Sequence, residues 1–491
     1  MRRPVVHLII LALGVFWTFS QQDVVAAPRD PAAAIETMER ARAADDGTLA
    51  AAVSGSDRAL ALRAALALGR TKREPAAEVL VPQLASHDPA MRAVATFALG
   101  LIARPEDLTR TRALVRSDPS SAVRYAAVDA VGRAIAAHPD LATSAVAASL
   151  ADAMRDDRDP VVRAHAAAAL EGFGTSRTAP AIERAIESAF AREDTADVRW
   201  HEMWVLYRAF ARSIDPHFLA AQLQSRDELV RVETLRAIGK RKDAGADHFV
   251  RPLVADPSWR VQLQARETLL ALAGAPATEH LTSFPPALNL PEIPAVAPEV
   301  LDATPAPART APALSPPRTA TLDYGPPLDP QTAAEMNGPQ PGPHPRVRLS
   351  TTRGAIDVRL FPEWAPVTVA NFLALTTQGA LDGDRWFRVV PDFVHQTGDQ
   401  TNDPDHEPGY TIGAEENPVE QRSGVLAMGL DYEGGKAVRD SAGTQFYVTD
   451  SPQLHLDRDF SVFGQIERGF DVLANLNETD RILHASRLAD E

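Results

Sequence analysis

Between about Pro31 and Gly274 the chain repeats one pattern: an Asp, a short gap, an apolar residue followed by Arg, and an alanine-rich stretch that runs to a Gly. Asp88-Pro89-Ala90-Met91-Arg92 leads to Gly100, and Asp118 leads through Val123-Arg124 to Gly132. The pattern returns at Asp159-Pro160-Val161-Val162-Arg163, at Asp227 with Val230-Arg231 and Gly239, and at Asp256-Pro257-Ser258-Trp259-Arg260 with Gly274. Arg63 and Arg199 mark two less regular units. Successive arginines lie roughly 29 to 39 residues apart, which is a solenoid period. Each unit is expected to be a helix pair, with Asp as the N-cap, Pro in the first turn and Gly at the end. One pair cannot bury its apolar face alone, so neighbours must stack, giving an all-α solenoid of about six to seven pairs over residues 31–274. The repeated Arg is expected to bond an Asp or carbonyls of the adjoining unit rather than a ligand.

These units resemble HEAT-type repeats, particularly the short PBS-lyase-like variety. Beyond them, residues 275–345 are proline-rich, with Pro285-Pro286, Pro316-Pro317 and Pro326-Pro327, and read as a semi-rigid bridge that spaces two domains. At the other end, Arg2-Arg3, an apolar run from Leu8 to Phe19 and small residues up to Ala26-Ala27 read as a signal peptide over residues 1–26. The remainder is then expected in an exported, periplasmic compartment, with a membrane as partner only if that segment stays uncleaved. A formal charge of −15 argues against a nucleic-acid partner, and a cysteine count of zero excludes disulfides and thiolate chemistry.

Residues 346–491 carry a different signal. Trp386-Phe387-Arg388-Val389-Val390-Pro391-Asp392-Phe393-Val394-His395-Gln396-Thr397-Gly398-Asp399 reads as strand, turn, strand, holding one guanidinium beside an aromatic ring and an amide. Gly443-Thr444-Gln445-Phe446-Tyr447-Val448-Thr449 follows, then His455-Leu456-Asp457 and Phe460-Ser461-Val462-Phe463-Gly464. Upstream, Gly354 to Pro362 leads into Ala365-Pro366-Val367-Thr368-Val369-Ala370-Asn371-Phe372. These four blocks, in this order, resemble the cyclophilins. The resemblance implies a C-terminal cyclophilin-like closed β-barrel with flanking helices, and peptidyl-prolyl cis-trans isomerase activity without metal or cofactor.

The resemblance also implies roles. Arg388 would be catalytic; Phe393, Val394, Tyr447 and Leu456 would form the proline pocket, with His455 at the position often held by Trp and Phe460 replacing a histidine. Gln396 would steady Arg388, Gln445 would line the adjacent groove, and backbone around Gly429 and Leu430 would hold the peptide. Leu430 stands where the family has Asn, and the stretch from Asp431 to Asp440 exceeds the usual loop. The expected function is an exported isomerase acting on proline-containing peptides and protein clients, with the repeats as a client- or partner-binding scaffold. The alternative is a weakly catalytic peptide-binding module on that scaffold. The acidic run Asp399, Asp403, Asp405 and Glu407 lacks EF-hand spacing, and His201-Glu202 lacks the second His of a zinc-protease helix. Trp200, Trp204 and Tyr207, at helical spacing, read as solenoid core or interface.

Overall fold

The structure is a computed structural model that describes residues 34–274 and 344–489, apart from 36, 40–44, 244, 400–409 and 435. The expected signal peptide and nearly all of the bridge lie outside the described residues, as do Asp403, Asp405 and Glu407. Among the described residues, no helix is long and apolar enough to cross a membrane.

The repeated motif builds a row of inner helices: α1 (Arg58–Arg70), α2 (Pro89–Ile102), α3 (Ser121–Ala137), α4 (Pro160–Ala169), α5 (Ala196–Val205), α6 (Glu228–Arg241) and α7 (Trp259–Leu272). Each packs on the next, and outer helices such as Leu108–Ser117 and Ser144–Asp156 back them. Asp88, Asp159 and Asp227 cap their helices, each carboxylate accepting an amide of the first turn. Asp118 and Asp256 serve differently. Each sits two residues before a cap and accepts the amide of that cap residue, Ser120 or Ser258.

Asp118, Asp157 and Asp256 receive repeated arginines. Arg92 makes a two-pronged bond to Asp118 at 2.8 and 2.9 Å, Arg124 does so to Asp157, and Arg231 to Asp256. Arg163 uses Glu193 in the same way. The ladder is therefore structural, as its spacing predicts. In the first unit the equivalent contact comes from Arg58, which grips Asp88, rather than from Arg63. Three glycines depart from expectation: Gly100, Gly132 and Gly239 lie inside helices instead of ending them, and Gly69 likewise lies inside α1. A Cβ on Gly69 would fall 2.6 Å from Ala98 Cα, and one on Gly100 2.8 Å from Ala130 Cα. The missing side chains let inner helices cross almost backbone to backbone.

One inner-helix carboxyl has no such partner. Glu202 on α5 is fully buried, neither oxygen is hydrogen-bonded, and burial followed by the Glu193 charge pushes it up to about 8. Because its folded value exceeds the unfolded one, its contribution is fully present below about 4.5 and is lost as pH rises to about 8. Wild-type stability should thus fall with pH across that window, by at most roughly 1.4 kcal/mol per pH unit. Glu202→Gln should flatten the decline in denaturant titrations at pH 5, 6.5 and 8. Parallel profiles would show that Glu202 ionises normally.

The C-terminal unit is built on strands β1 (Arg346–Thr351), β2 (Gly354–Leu360), β3 (Arg388–Val390), β4 (Val394–Thr397), β5 (Val425–Met428), β6 (Tyr432–Glu433), β7 (Lys436–Ala437), β8 (Phe446–Thr449), β9 (Val462–Arg468) and β10 (Ile482–Arg487). Eight of them form one curled antiparallel sheet in the order β10-β1-β2-β9-β5-β8-β4-β3. Its two edges meet at a single bridge, Arg385 to Arg481, rather than along a full ladder. The long stretch after Leu430 is a small hairpin, β6–β7. Inside the curl, Phe372 of helix α8 (Pro366–Thr377) meets Phe446 and Phe463 at ring-centre distances of 5.3 and 5.1 Å. The N-terminus of α8 has no capping side chain of its own; Glu415 accepts the Val367 and Thr368 amides instead.

The two units do not stand apart. The concave face of the solenoid holds the C-terminal unit, and one apolar core runs from the inner helices into Phe361, Trp364, Val419, Tyr447 and Phe460. Residues 414–424, rich in charge, are buried throughout. Arg70 of α1 donates to the Glu416 and Trp364 carbonyls, and Tyr125 of α3 donates to the Pro418 carbonyl. His165 of α4 and His201 of α5 converge on Glu420 at 2.5 and 3.4 Å. Arg422 takes the other Glu420 oxygen at 2.6 Å and grips Asp197 of α5 at 2.8 and 3.0 Å. With Arg422 satisfying Glu420 and His201 donating from Nδ1 to the Asp197 carbonyl, this cluster is an ion-pair lock between the units. Among the described residues, the two units thus share an apolar core and a polar lock.

Candidate active site

The β3–β4 hairpin places the key side chains. Arg388 pairs directly with Gln396, and Val390 with Val394. Asp392 makes the turn with φ 59°, a left-handed conformation that Asp tolerates better than most residues. This aims Phe393 back beneath Arg388, whose guanidinium carbon lies 5.3 Å from the ring centre. Arg388 is exposed and, among the described residues, forms no hydrogen bond or ion pair. A permanent cation is left facing an open groove.

Beneath it lies an apolar pocket. Val394, Tyr447 and Phe460 are buried and form the floor, while Phe393 and Leu456 are half-buried at the rim. Tyr447 and Phe460 meet edge to face at 5.6 Å. The Tyr447 hydroxyl donates to Gln421 at 2.7 Å, so the tyrosine that replaces the family's Phe is pinned through the solenoid-facing segment. His455 stacks on Phe393, 5.8 Å away and 11° from parallel. Burial of the ring face, then the Arg208 and Arg236 guanidiniums, push the His455 imidazole down to about 4. The residue is exposed overall, which weakens the burial effect, but both causes act in one direction and keep it neutral at ordinary pH.

Two expected roles change. Gln396 does not hold Arg388; its Nε2 donates to Gln445 Oε1 at 3.1 Å. Gln396 pairs with Tyr447 on its other side, so its amide leans toward β8, where Gln445 offers a neutral acceptor. The N–H of Gly429 is likewise taken, donating to the Gln445 carbonyl at 2.8 Å, so only the rest of the Gly429–Leu430 backbone can meet a peptide. A Cβ at Gly429 would sit 3.2 Å from Gln396 Nε2, which explains the glycine.

The comparisons with known proteins follow this geometry. Residues 346–488 match the family described as cyclophilin type peptidyl-prolyl cis-trans isomerase/CLD. The chain is 38% identical over 127 residues to peptidyl-prolyl cis-trans isomerase B of Bacillus subtilis, covering 26% of this chain and 85% of that protein. It belongs to the cyclophilin-type isomerase family. A second relative, the peptidyl-prolyl cis-trans isomerase of Synechococcus elongatus, is 36% identical over 144 residues, 29% of this chain and 95% of that protein. Residues 46–132 and 112–200 match HEAT repeats.

Local sequence reading missed a set of residues that fix this cyclophilin site from behind. The Asp392 carboxylate receives Arg236 of α6 at 2.7 Å and faces Arg260 of α7 at 3.4 Å. Asp450 accepts the Asp392 amide at 2.8 Å, and Arg260 donates to the Asp450 carbonyl at 2.9 Å. Arg260, the last rung of the ladder, thus reaches Asp392 and Asp450 of the isomerase unit as well as Glu228 of α6 at 3.6 Å. The Asp392 turn, read as ordinary loop chemistry, is the handle by which the solenoid holds the β3–β4 hairpin.

Proposed function

We propose that this chain catalyses cis-trans isomerisation of X–Pro bonds in peptides and protein clients, with Arg388 as the catalytic residue. The observation that carries the reading is an unpaired guanidinium over Phe393, at the mouth of a pocket floored by Val394, Tyr447 and Phe460. Resonance across the prolyl amide sets a barrier of about 18–20 kcal/mol. Twisting the bond returns a lone pair to nitrogen, and a cation aimed there gains strength only at the transition state. Leu430 and Phe460 supply apolar contact for the ring. Gln445, steadied by Gln396, lines the groove for the peptide main chain. The unengaged cation favours catalysis over the alternative of a weak binding module, because a module needs no free donor beside the ring.

The solenoid's part in this reading shifts from client scaffold to frame. Its inner helices share a core with the catalytic unit, and a protein partner on the rest of the solenoid is part of the proposal. Export to the periplasm is proposed from the basic, apolar and small-residue stretch at residues 1–26 alone. A protease-coupled assay of the full chain on an X–Pro tetrapeptide should show turnover well above the spontaneous rate. Peptide binding without turnover would select the binding-module alternative.

A further inference from the structure

Beside the proline pocket lies a cleft of about 340 Å³ whose far wall is solenoid, lined by Trp204, Tyr207 and Arg208 opposite Phe393 and His455. We propose that this cleft is an added substrate subsite, one that takes an aromatic side chain flanking the proline. The proposal rests on the isomerase reading and extends its substrate class.

Continuity is the first argument. Phe393 belongs to both spaces: the Arg388 guanidinium lies over its ring, and His455 stacks on it at the cleft side. A peptide seated with proline in the pocket must therefore pass a neighbouring side chain into or across the cleft. The volume falls at the lower end of ordinary ligand sites.

The lining chemistry chooses the occupant. Trp204, Tyr207, Phe393 and His455 bring rings to a lining that also carries Gln264, Glu267 and Gln453, and rings are what aromatic groups pack against. The charges around them are engaged. Arg208 lies 5.6 Å over Trp204 and bonds Glu171, while Arg236 is tied to Glu233 and Asp392. A charged side chain would find no free counter-ion there, whereas an aromatic one would add to the ring stack.

The backbone supplies a third argument. Helix α5 passes directly into a π-helical turn, Leu206–Phe210, which carries Tyr207 and Arg208. Such turns re-aim side chains and occur often at functional sites. Across the cleft, the Arg236 and Arg260 contacts to Asp392 hold the opposing wall, so the space is preformed.

The test uses the full chain and X–Pro peptides with Phe, Leu, Asp, Lys or Gly at each position flanking the proline, reading kcat/KM together with Kd by calorimetry. Wild type should prefer Phe over Gly at one flanking position by about tenfold or more, in the range that one apolar pocket can supply. Tyr207→Ala and Arg208→Ala, checked for intact helical signal, should each shrink that preference several-fold, and Tyr207→Phe should keep it. Absence of an aromatic preference in wild type, or its survival in both folded variants, overturns the subsite. If no peptide is turned over yet Phe-flanked peptides bind tighter in a Tyr207-dependent way, the subsite stands and the isomerase reading falls.

Discussion

An Arg388→Ala variant of the full chain is expected to lose about two orders of magnitude in kcat/KM for X–Pro isomerisation, roughly 2.7 kcal/mol of transition-state stabilisation. The reason is geometric. The guanidinium is exposed and lies over Phe393, and among the described residues it makes no hydrogen bond or ion pair that its removal would break. Stability should therefore stay within about 0.5 kcal/mol of wild type, as for surface positions without a structural partner. Arg388→Lys should recover little, since an ammonium on a flexible stem lacks the planar fork. Unchanged turnover in a folded Arg388→Ala protein would sink the electrostatic mechanism.

The larger structural effect is expected at Arg422. Its side chain is almost fully buried and bridges Glu420 and Asp197, the carboxylates that join the catalytic unit to α5. Burial works against the charged state of Glu420, and the Arg422 charge, aided by His165, more than reverses this and holds it well below the usual carboxylate range. Arg422→Ala leaves the buried Glu420 and the half-buried Asp197 without their main cation. Removing one member of such a network costs about 3–5 kcal/mol. The variant should unfold earlier in denaturant. The neutral triple variant Arg422→Met, Glu420→Gln, Asp197→Asn should recover part of the loss, because no charge is then stranded. A change under about 0.5 kcal/mol in Arg422→Ala would mean that the lock adds little to stability.

The same lock has a pH window. Glu420 is depressed, so its contribution is present above about 4.5 and is lost as pH falls through its folded value. For His201, burial is opposed by Asp197 and Glu420, and the net shift is upward; its contribution is full below about 6.5 and lost as pH rises through the folded value. His165, pushed down by burial, works the other way and contributes fully only above about 6.5, so union of the two units should be firmest near that pH.

The repeats and the catalytic hairpin were legible in the sequence because their information is local. Asp-Pro at a helix start, Arg at a fixed offset and Val-Pro-Asp-Phe between two β-prone runs each specify a few neighbouring residues, and the structure places them accordingly. The ladder bonds Arg92–Asp118 and Arg231–Asp256 follow from period alone. Gly100 and Gly132 read as helix ends, because a glycine that permits a helix crossing and one that ends a helix look alike in one dimension. Gln396 was assigned to its opposite neighbour Arg388, when the sheet offered a second neighbour on its other edge.

What the sequence by itself determined is the pair of architectures and the identity of the groove: helix stacks from a repeated cap and ladder, and an arginine over an apolar pocket from one hairpin. Only the tertiary structure decided that these two share a core and that Asp392 is held by Arg236 and Arg260. It alone showed the solenoid walling one side of the site. The physical reason lies in the charged groups of residues 414–424 and of the inner helices. Their charges become favourable to bury only against one another, and those pairings join residues more than a hundred positions apart, which no local spacing encodes.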